Sequence, residues 1–146
     1  AACPARAVEP FASVEVTRQF ARRLDLDLTG TAYVPLGTDD YRGVVERIRR
    51  SDAQGVLLYL VGQDAVQFNR VFAAQGLQES LVRFTPLMEE NMLLASGAEA
   101  TRNLFVCASY FRSLATSSAL EFGGAYVDQH GPDAPPLNNA AESCYE

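Results

Sequence analysis

Residues 31–76 read TAYVPLGTDDYRGVVERIRRSDAQGVLLYLVGQDAVQFNRVFAAQG, and this stretch alternates between two hydrophobic patterns. Residues 31–36 are rich in β-forming side chains, and residues 55–62 form a continuous apolar run between two glycines, as buried strands do. Residues 40–50 and 64–74 instead repeat apolar side chains every three or four positions, which is the spacing of an amphipathic helix. A strand–helix–strand–helix order is typical of a parallel sheet covered by helices.

The flanking sequence continues this alternation. Before the stretch we predict a helix over residues 9–24, whose buried row consists of Ala12, Val16, Phe20 and Leu24. After it we predict a strand, a short helix, a strand and a longer helix, at residues 81–86, 89–95, 104–109 and 119–130. Four strands joined by right-handed crossovers predict the α/β class, with a three-layer, open, doubly wound and mainly parallel sheet of the Rossmann-like or flavodoxin-like type.

Length and composition are those of one domain. The 146 residues are 48% hydrophobic, which is sufficient for a core. A net charge of -6 without a basic patch argues against nucleic acid or an anionic membrane surface as partner, because both are bound through Lys and Arg. One edge of the predicted sheet is open, and we expect a further strand to precede residue 1. Residues 1–146 are therefore interpreted as a single lobe of a larger protein.

Catalytic and metal-binding motifs are missing from the sequence. Neither GxGxxG nor GxxxxGK[ST] is present, so a nucleotide phosphate has no specific support, and no GxSxG elbow offers a nucleophilic serine. His130 is the only histidine, which leaves too few ligands for a zinc site. The pocket of a response regulator needs a lysine, and the chain has none. We therefore expect no enzymatic activity, no cofactor and no metal.

The chain has three cysteines. Cys107 lies in an apolar run and is interpreted as an inert core residue. Cys3 and Cys144 lie near the two ends, where they either pair or remain free thiols, because sequence does not give their separation in space.

The position of the binding site follows from a general property of open α/β sheets, whose ligands lie beyond the carboxyl ends of the strands. This rule selects four loops, at residues 36–40, 62–64, 87–90 and 110–113. In the second loop, backbone N–H groups and Gln63 suit a carbonyl or carboxylate at a helix N-terminus. The alternative for this loop is a tight turn in which Asp64 caps the helix.

The third and fourth loops also have two interpretations each. Glu89 and Glu90 offer a carboxylate to an ammonium or amide N–H, or they only complement the positive end of a helix. Tyr110 and Phe111 offer an aromatic wall to the apolar part of a ligand, or they only pack at the edge of the sheet.

Several short motifs follow one another in an order that resembles a known family. They are Pro35-Leu36-Gly37 with Asp40, Val61-Gly62 with Phe68, Met88-Glu89-Glu90-Asn91, Ser109-Tyr110-Phe111-Arg112-Ser113, and Ala141-Glu142-Ser143-Cys144-Tyr145. The series resembles the second lobe of type I periplasmic (solute-)binding proteins. The nearest branch is the one that binds urea, short-chain amides and branched-chain amino acids. Leu87 and Met88 depart from the pattern, because relatives often carry small hydroxyl residues there.

The resemblance implies a receptor in which a small amino acid, urea or amide is held between two lobes that close by a hinge. It implies the membrane permease of an ABC transporter as protein partner and an extracytoplasmic location. The alternative is the ligand-sensing domain of a cytoplasmic, amide-responsive regulator. The residues expected at the ligand are Gly62, Gln63, Asp64, Met88, Glu89, Tyr110 and Asn138. A lobe without its partner is also expected to self-associate through exposed apolar surface.

Overall fold

The computed structural model describes residues 5–111 and 113–134. Its helices are α1 (Ala5–Arg23), α2 (Arg42–Arg49), α3 (Gly62–Ala74), α4 (Glu90–Ser96) and α5 (Ser117–His130), with a 3-10 turn at Leu77–Glu79. Its strands are β1 (Gly55–Leu57), β2 (Val82–Thr85) and β3 (Leu104–Val106). None of the helices in this described part is long and apolar enough to cross a membrane.

The three strands form one parallel sheet in the order β1-β2-β3. Leu57 lies opposite Phe84, and Phe84 lies opposite Phe105. Helix α3 connects β1 to β2 and α4 lies between β2 and β3, so each pair of strands is joined by a helical crossover. The predicted α/β class with a parallel sheet is therefore confirmed.

One face of the sheet carries the core. Its buried members are contributed by α2, α3, the end of the β1 segment and the 3-10 turn, namely Tyr41, Val45, Leu58, Phe68, Phe72 and Leu77. Tyr41 meets the edge of Phe68 at 5.8 Å between ring centroids, and Phe68 lies 5.7 Å from Phe72. Each such fully buried side chain contributes about 1.5–3 kcal/mol of transfer free energy. Helices α2 and α3 are therefore held on this face by aromatic packing.

A buried cation also lies on the covered face. Arg83 of β2 is fully buried, and its guanidinium lies 4.5 Å from the centroid of the Phe72 ring. It donates to the side chain of Asn69 and to the backbone carbonyls of Ala100 and Arg102. Burial lowers the pKa of Arg83 to about 10, so it stays charged at neutral pH. Arg83 thus ties β2 to α3 and to the turn before β3.

The other face of the sheet is open in the described part of the chain. Leu57, Phe84 and Phe105 form a row across the three strands and are 43%, 48% and 57% exposed. The prediction that the apolar run at residues 55–62 is covered on both faces is therefore wrong here. Cys107 follows β3 on the same face as Phe105 and is exposed, so its assignment to the core is also wrong.

The row predicted to be buried on α1 is exposed as well. Val16, Phe20 and Leu24 are each about half exposed or more, and Ala12 is exposed. The helix itself is confirmed. Periodicity identifies side chains that share one face of a helix, but it does not provide the element that would cover that face.

One predicted strand is absent from the described residues. Residues 31–36 form no strand, although Val34 packs against the core cluster. A strand needs a hydrogen-bonded neighbour, and β1 pairs with β2 alone among the described residues. The predicted strands at residues 55–62 and 104–109 are shorter for the same reason, because their apolar runs extend beyond the ladder.

Candidate functional site

The first two of the four selected loops are joined by a buried carboxylate. The N–H of Gly37 donates to Oδ2 of Asp64 at 3.0 Å, and the hydroxyl of Tyr41 donates to Oδ1 at 2.8 Å. Asp64 is only 8% exposed. Burial, followed by the hydrogen bond to Asp64, raises the pKa of Tyr41. Both carboxylate oxygens therefore serve to hold residues 36–41 against the first turn of α3.

Helix α3 begins beside this carboxylate at a residue with left-handed backbone geometry. Gly62 has φ of 56°, where a side chain would be strained, and Val61 precedes it without a side-chain cap. The N–H of Gly62 lies 3.1 Å from Sδ of Met92 in α4. Gly62 and Gln63 are both exposed, so the N-terminal turn of α3 offers backbone groups and one side-chain amide to solvent.

The buried thioether of Met88 packs on the core side of the third loop. Met88 is 1% exposed, and its Sδ accepts from Nδ2 of Asn69 at 3.3 Å. The hydroxyl of Thr85 accepts from the N–H of Leu87 at 3.1 Å, which fixes the chain as it leaves β2. Glu89 then takes the N-cap position of α4 and is half-buried. Met88 therefore lies beneath the surface on which Glu89 is accessible.

The fourth loop is held to the third. The carboxylate of Glu90 accepts from the N–H of Ser113 at 3.2 Å. Tyr110 is buried and meets the edge of the Phe122 ring at 5.4 Å, so its ring packs on α5. Together with the Gly37–Asp64 and Gly62–Met92 contacts, these bonds bring all four loops to one edge of the sheet.

The residues expected at the ligand therefore divide into two groups. Gly62, Gln63 and Glu89 are accessible at this edge, whereas Asp64, Met88 and Tyr110 are buried directly behind it. We call the accessible set, Gly62, Gln63 and Glu89, the loop surface. Asn138 lies outside the described residues.

Sequence reasoning missed two residues that build this edge. In the sequence, Tyr41 belongs to the apolar repeat of residues 40–50, which indicates only a core position. A buried tyrosine hydroxyl requires a hydrogen-bond partner, and that requirement was the available signal. Asn69 donates to Ala65 and Met88 and accepts from Arg83. An amide next to Phe68 on an apolar helix face was the corresponding signal for a buried polar network.

The selected loops carry acidic side chains at the surface, among them Asp40 and Glu89. Hydrogen bonds from the Arg42 side chain, and then from its backbone N–H, lower the pKa of exposed Asp40 to about 2. Asp40 thus pairs with the Arg42 guanidinium, whereas Glu89 forms no salt bridge within residues 5–111 and 113–134. Within residues 5–111 and 113–134, no group of three or more His, Cys, Asp or Glu side chains is arranged to hold a metal ion. The arrangement can combine the positive end of a helix with one accessible carboxylate.

Comparison with known proteins gives one family. A family model described as "Periplasmic binding protein" matches residues 8–146. Comparison with curated proteins gives no match.

Proposed function

Because this chain belongs to the periplasmic binding protein family, we propose that it is one lobe of a receptor for a small amino acid, urea or amide. Members of the family bind small solutes and are generally not enzymes, and the family suggests an extracytoplasmic location. The observation that carries the proposal is the convergence of four loops at the sheet edge where the three strands have their carboxyl ends, through the Gly37–Asp64, Gly62–Met92 and Glu90–Ser113 contacts.

The solute class follows from the groups on the loop surface. The N-terminal turn of α3 offers N–H groups and a positive dipole end, which suit a carboxylate or carbonyl oxygen. Glu89 offers a carboxylate to an ammonium or amide N–H. A ligand with an acceptor at one end and a donor at the other satisfies both, and amino acids, urea and short amides have that form.

The openness of the loop surface supports a second lobe. Gly62 and Gln63 are exposed, whereas small-molecule sites commonly bury about 70–90% of a ligand. A partner lobe that closes by a hinge would supply the remaining wall and exclude water. In this proposal the closed form is recognised by the membrane permease of an ABC transporter.

The test is ligand-induced thermal stabilisation of the longest form of the protein that the gene encodes. Amino acids, urea and short amides are compared at equal concentration. A ligand present at 100 times its Kd stabilises the folded state by about 2.7 kcal/mol. We expect a clear shift for one of these classes and none for sugars.

Two matched variants connect this shift to the loop surface. Glu89→Gln should reduce the shift for ligands with an ammonium or amide N–H. Glu15→Gln, on the exposed side of α1, should leave it unchanged. A well-folded two-lobed form that is stabilised by none of these solutes would overturn the proposal. Equal shifts in both variants would remove Glu89 from the site.

A further inference from the structure

The thioether of Met92 lies at the point where α3 begins. Its Sδ accepts a hydrogen bond from the N–H of Gly62 at 3.1 Å. The start of α3 provides no acceptor of its own for this group. Val61, at the N-cap position, makes no side-chain hydrogen bond, and both carboxylate oxygens of Asp64 are bonded to the preceding loop. A side chain of α4 therefore satisfies an N–H group at the beginning of α3.

A thioether is a weak acceptor for this N–H group. Sulfur accepts hydrogen bonds less strongly than oxygen does, whereas a carboxylate forms charge-assisted bonds about twice as strong as neutral ones. The N-terminus of a helix also favours negative charge. A solute oxygen that binds to the N–H of Gly62 must take the place of the sulfur, so the side chain of Met92 must move.

The surroundings allow this side chain to leave without a change in the backbone. Met92 is half-buried, and its unbranched side chain has three rotatable bonds. Beyond its own helix and chain neighbours, no atom lies within 4 Å of the place where a Cβ of Gly62 would stand. The backbone of α4 is fixed separately, because the carbonyl of Met92 accepts from the Ser96 hydroxyl at 2.7 Å. The carbonyl of Ala95 likewise accepts from Arg70 of α3. A rotamer change is therefore sufficient.

The other methionine provides an internal comparison. The sequence has two methionines, and Met88 also accepts through its sulfur, from Nδ2 of Asn69 at 3.3 Å. Met88 is only 1% exposed, so a solute at the loop surface does not reach this sulfur. Of the two sulfurs, that of Met92 is the one bonded to a residue of the loop surface.

We propose that Met92 is a further residue of the solute site, which occupies the N–H of Gly62 until a solute oxygen displaces it. This inference rests on the proposed function, because it assigns the solute oxygen to the start of α3. Binding is then a competition, and the N–H···S bond lowers the affinity for the solute. Removal of the sulfur should therefore tighten binding, whereas removal of a side chain that contacts a ligand usually weakens it.

The test follows both partners of this bond by NMR while sodium acetate, a minimal carboxylate probe, is added to the chain. Carbonyl-¹³C valine with ¹⁵N glycine selects the Val61–Gly62 amide, since the sequence has one Val-Gly pair. Methyl-¹³C methionine reports Met92, with Met88 as internal reference. We expect the Gly62 amide and the Met92 methyl group to change with the same acetate midpoint, and Met88 to remain unchanged. Sodium chloride at equal ionic strength is the control.

Three variants separate displacement from a purely structural effect. Met92→Leu removes the acceptor, so the acetate midpoint should fall by about two- to tenfold, the equivalent of one net hydrogen bond. Met92→Gln provides a stronger acceptor and should raise the midpoint by about twofold or more. Leu94→Gln, at a position of α4 that is 77% exposed, should leave it unchanged. A purely structural role would move both Met92 variants in the same direction.

Several results would overturn the proposal. They are an absence of any acetate response at Gly62 in Met92→Leu, equal midpoints in this variant and the wild type, or a wild-type Met92 methyl group that stays fixed while Gly62 responds. If Met92→Leu fails to fold, the wild-type titration decides. Thermal stabilisation of the longest form tests the proposed function separately. A solute that stabilises that form while Met92 fails these tests would remove Met92 from the site and leave the function standing.

Discussion

Gly37 donates its backbone N–H to the carboxylate of Asp64, which lies 27 residues further along the chain, at 3.0 Å. The same carboxylate accepts from the hydroxyl of Tyr41 at 2.8 Å. One buried side chain therefore sets both the path of residues 36–41 and the position of the first turn of α3. Asp64 itself is buried, so its carboxylate is used by these two donors.

The first prediction concerns this carboxylate. In Asp64→Asn one acceptor becomes an NH₂ group, so one of the two donors faces another donor. We expect a loss of about 1–3 kcal/mol in the free energy of unfolding, since a buried donor is left unsatisfied. Urea denaturation measures it. The exposed Asp52→Asn should change stability by less than about 0.5 kcal/mol. Equal stability of the Asp64 and Asp52 variants would contradict a structural role for Asp64.

The second prediction concerns the donor. Tyr41→Phe keeps the ring that meets Phe68 and removes only the hydroxyl. We expect a loss of about 1–2 kcal/mol, because Asp64 keeps Gly37 as its remaining donor. In a double-mutant cycle, Tyr41→Phe and Asp64→Asn should cost less together than the sum of the single changes. Strict additivity would show that the two groups do not interact in solution.

The third prediction concerns the buried cation. Arg83→Met removes three hydrogen bonds and the contact with Phe72, and leaves the carbonyls of Ala100 and Arg102 without this donor. We expect a loss of about 1–3 kcal/mol in the free energy of unfolding, because buried carbonyls are left without their hydrogen-bond donor. The control Arg18→Met lies on the exposed side of α1.

The pH dependence of the same variant has a definite sign. Burial lowers the pKa of Arg83 to about 10 in the folded state. Only above that pH does the unfolded state bind more protons than the folded state. Below about pH 10, Arg83 therefore adds no pH dependence to the free energy of unfolding. Above about pH 10, that free energy increases as Arg83 loses its proton. The difference between wild type and Arg83→Met should be constant between pH 6 and 8. A difference that changes steadily across this range would contradict the assignment.

The fourth prediction concerns the open face of the sheet. The rings of Phe84 and Phe105 stack at 5.6 Å, and both are about half exposed. Phe84→Thr combined with Phe105→Thr should lower self-association at high concentration, because it removes the centre of an exposed apolar row. Light scattering as a function of concentration measures this. Leu120→Thr, which removes an exposed side chain from α5, should leave self-association unchanged.

Much of the fold could be predicted from local patterns. The helical spacing in residues 40–50 and 64–74 predicted α2 and α3, because their apolar side chains do pack on one core. The four loops could be selected because parallel strands place their carboxyl ends at one edge. These patterns do not show which other element packs on a given face of a helix or sheet. Cys107 and the row Val16, Phe20 and Leu24 were therefore wrongly predicted to be buried.

The hydrogen bonds of the candidate site could not be predicted from hydrophobic periodicity, for a related reason. From the sequence, Asp64 could equally cap a helix, bind a ligand or accept a hydrogen bond from Gly37. It accepts from Gly37 because residues 36–41 pass beside it in the folded protein. Met88 likewise pairs with Asn69, which is far from it in sequence. Such contacts depend on long-range geometry that local sequence does not encode.

The guanidinium of Arg83 has one more consequence, for the length of the connection between α4 and β3. By bonding to the carbonyls of Ala100 and Arg102, it fixes how many residues separate that turn from Leu104. Side chains alternate along a strand, so a one-residue insertion after Arg102 would shift the register of β3 by one residue and exchange its two faces. Phe105 would then turn toward the core, and Leu104 would leave it. Sequences that share this fold and this arginine should therefore vary in the length of other loops before they vary in this one.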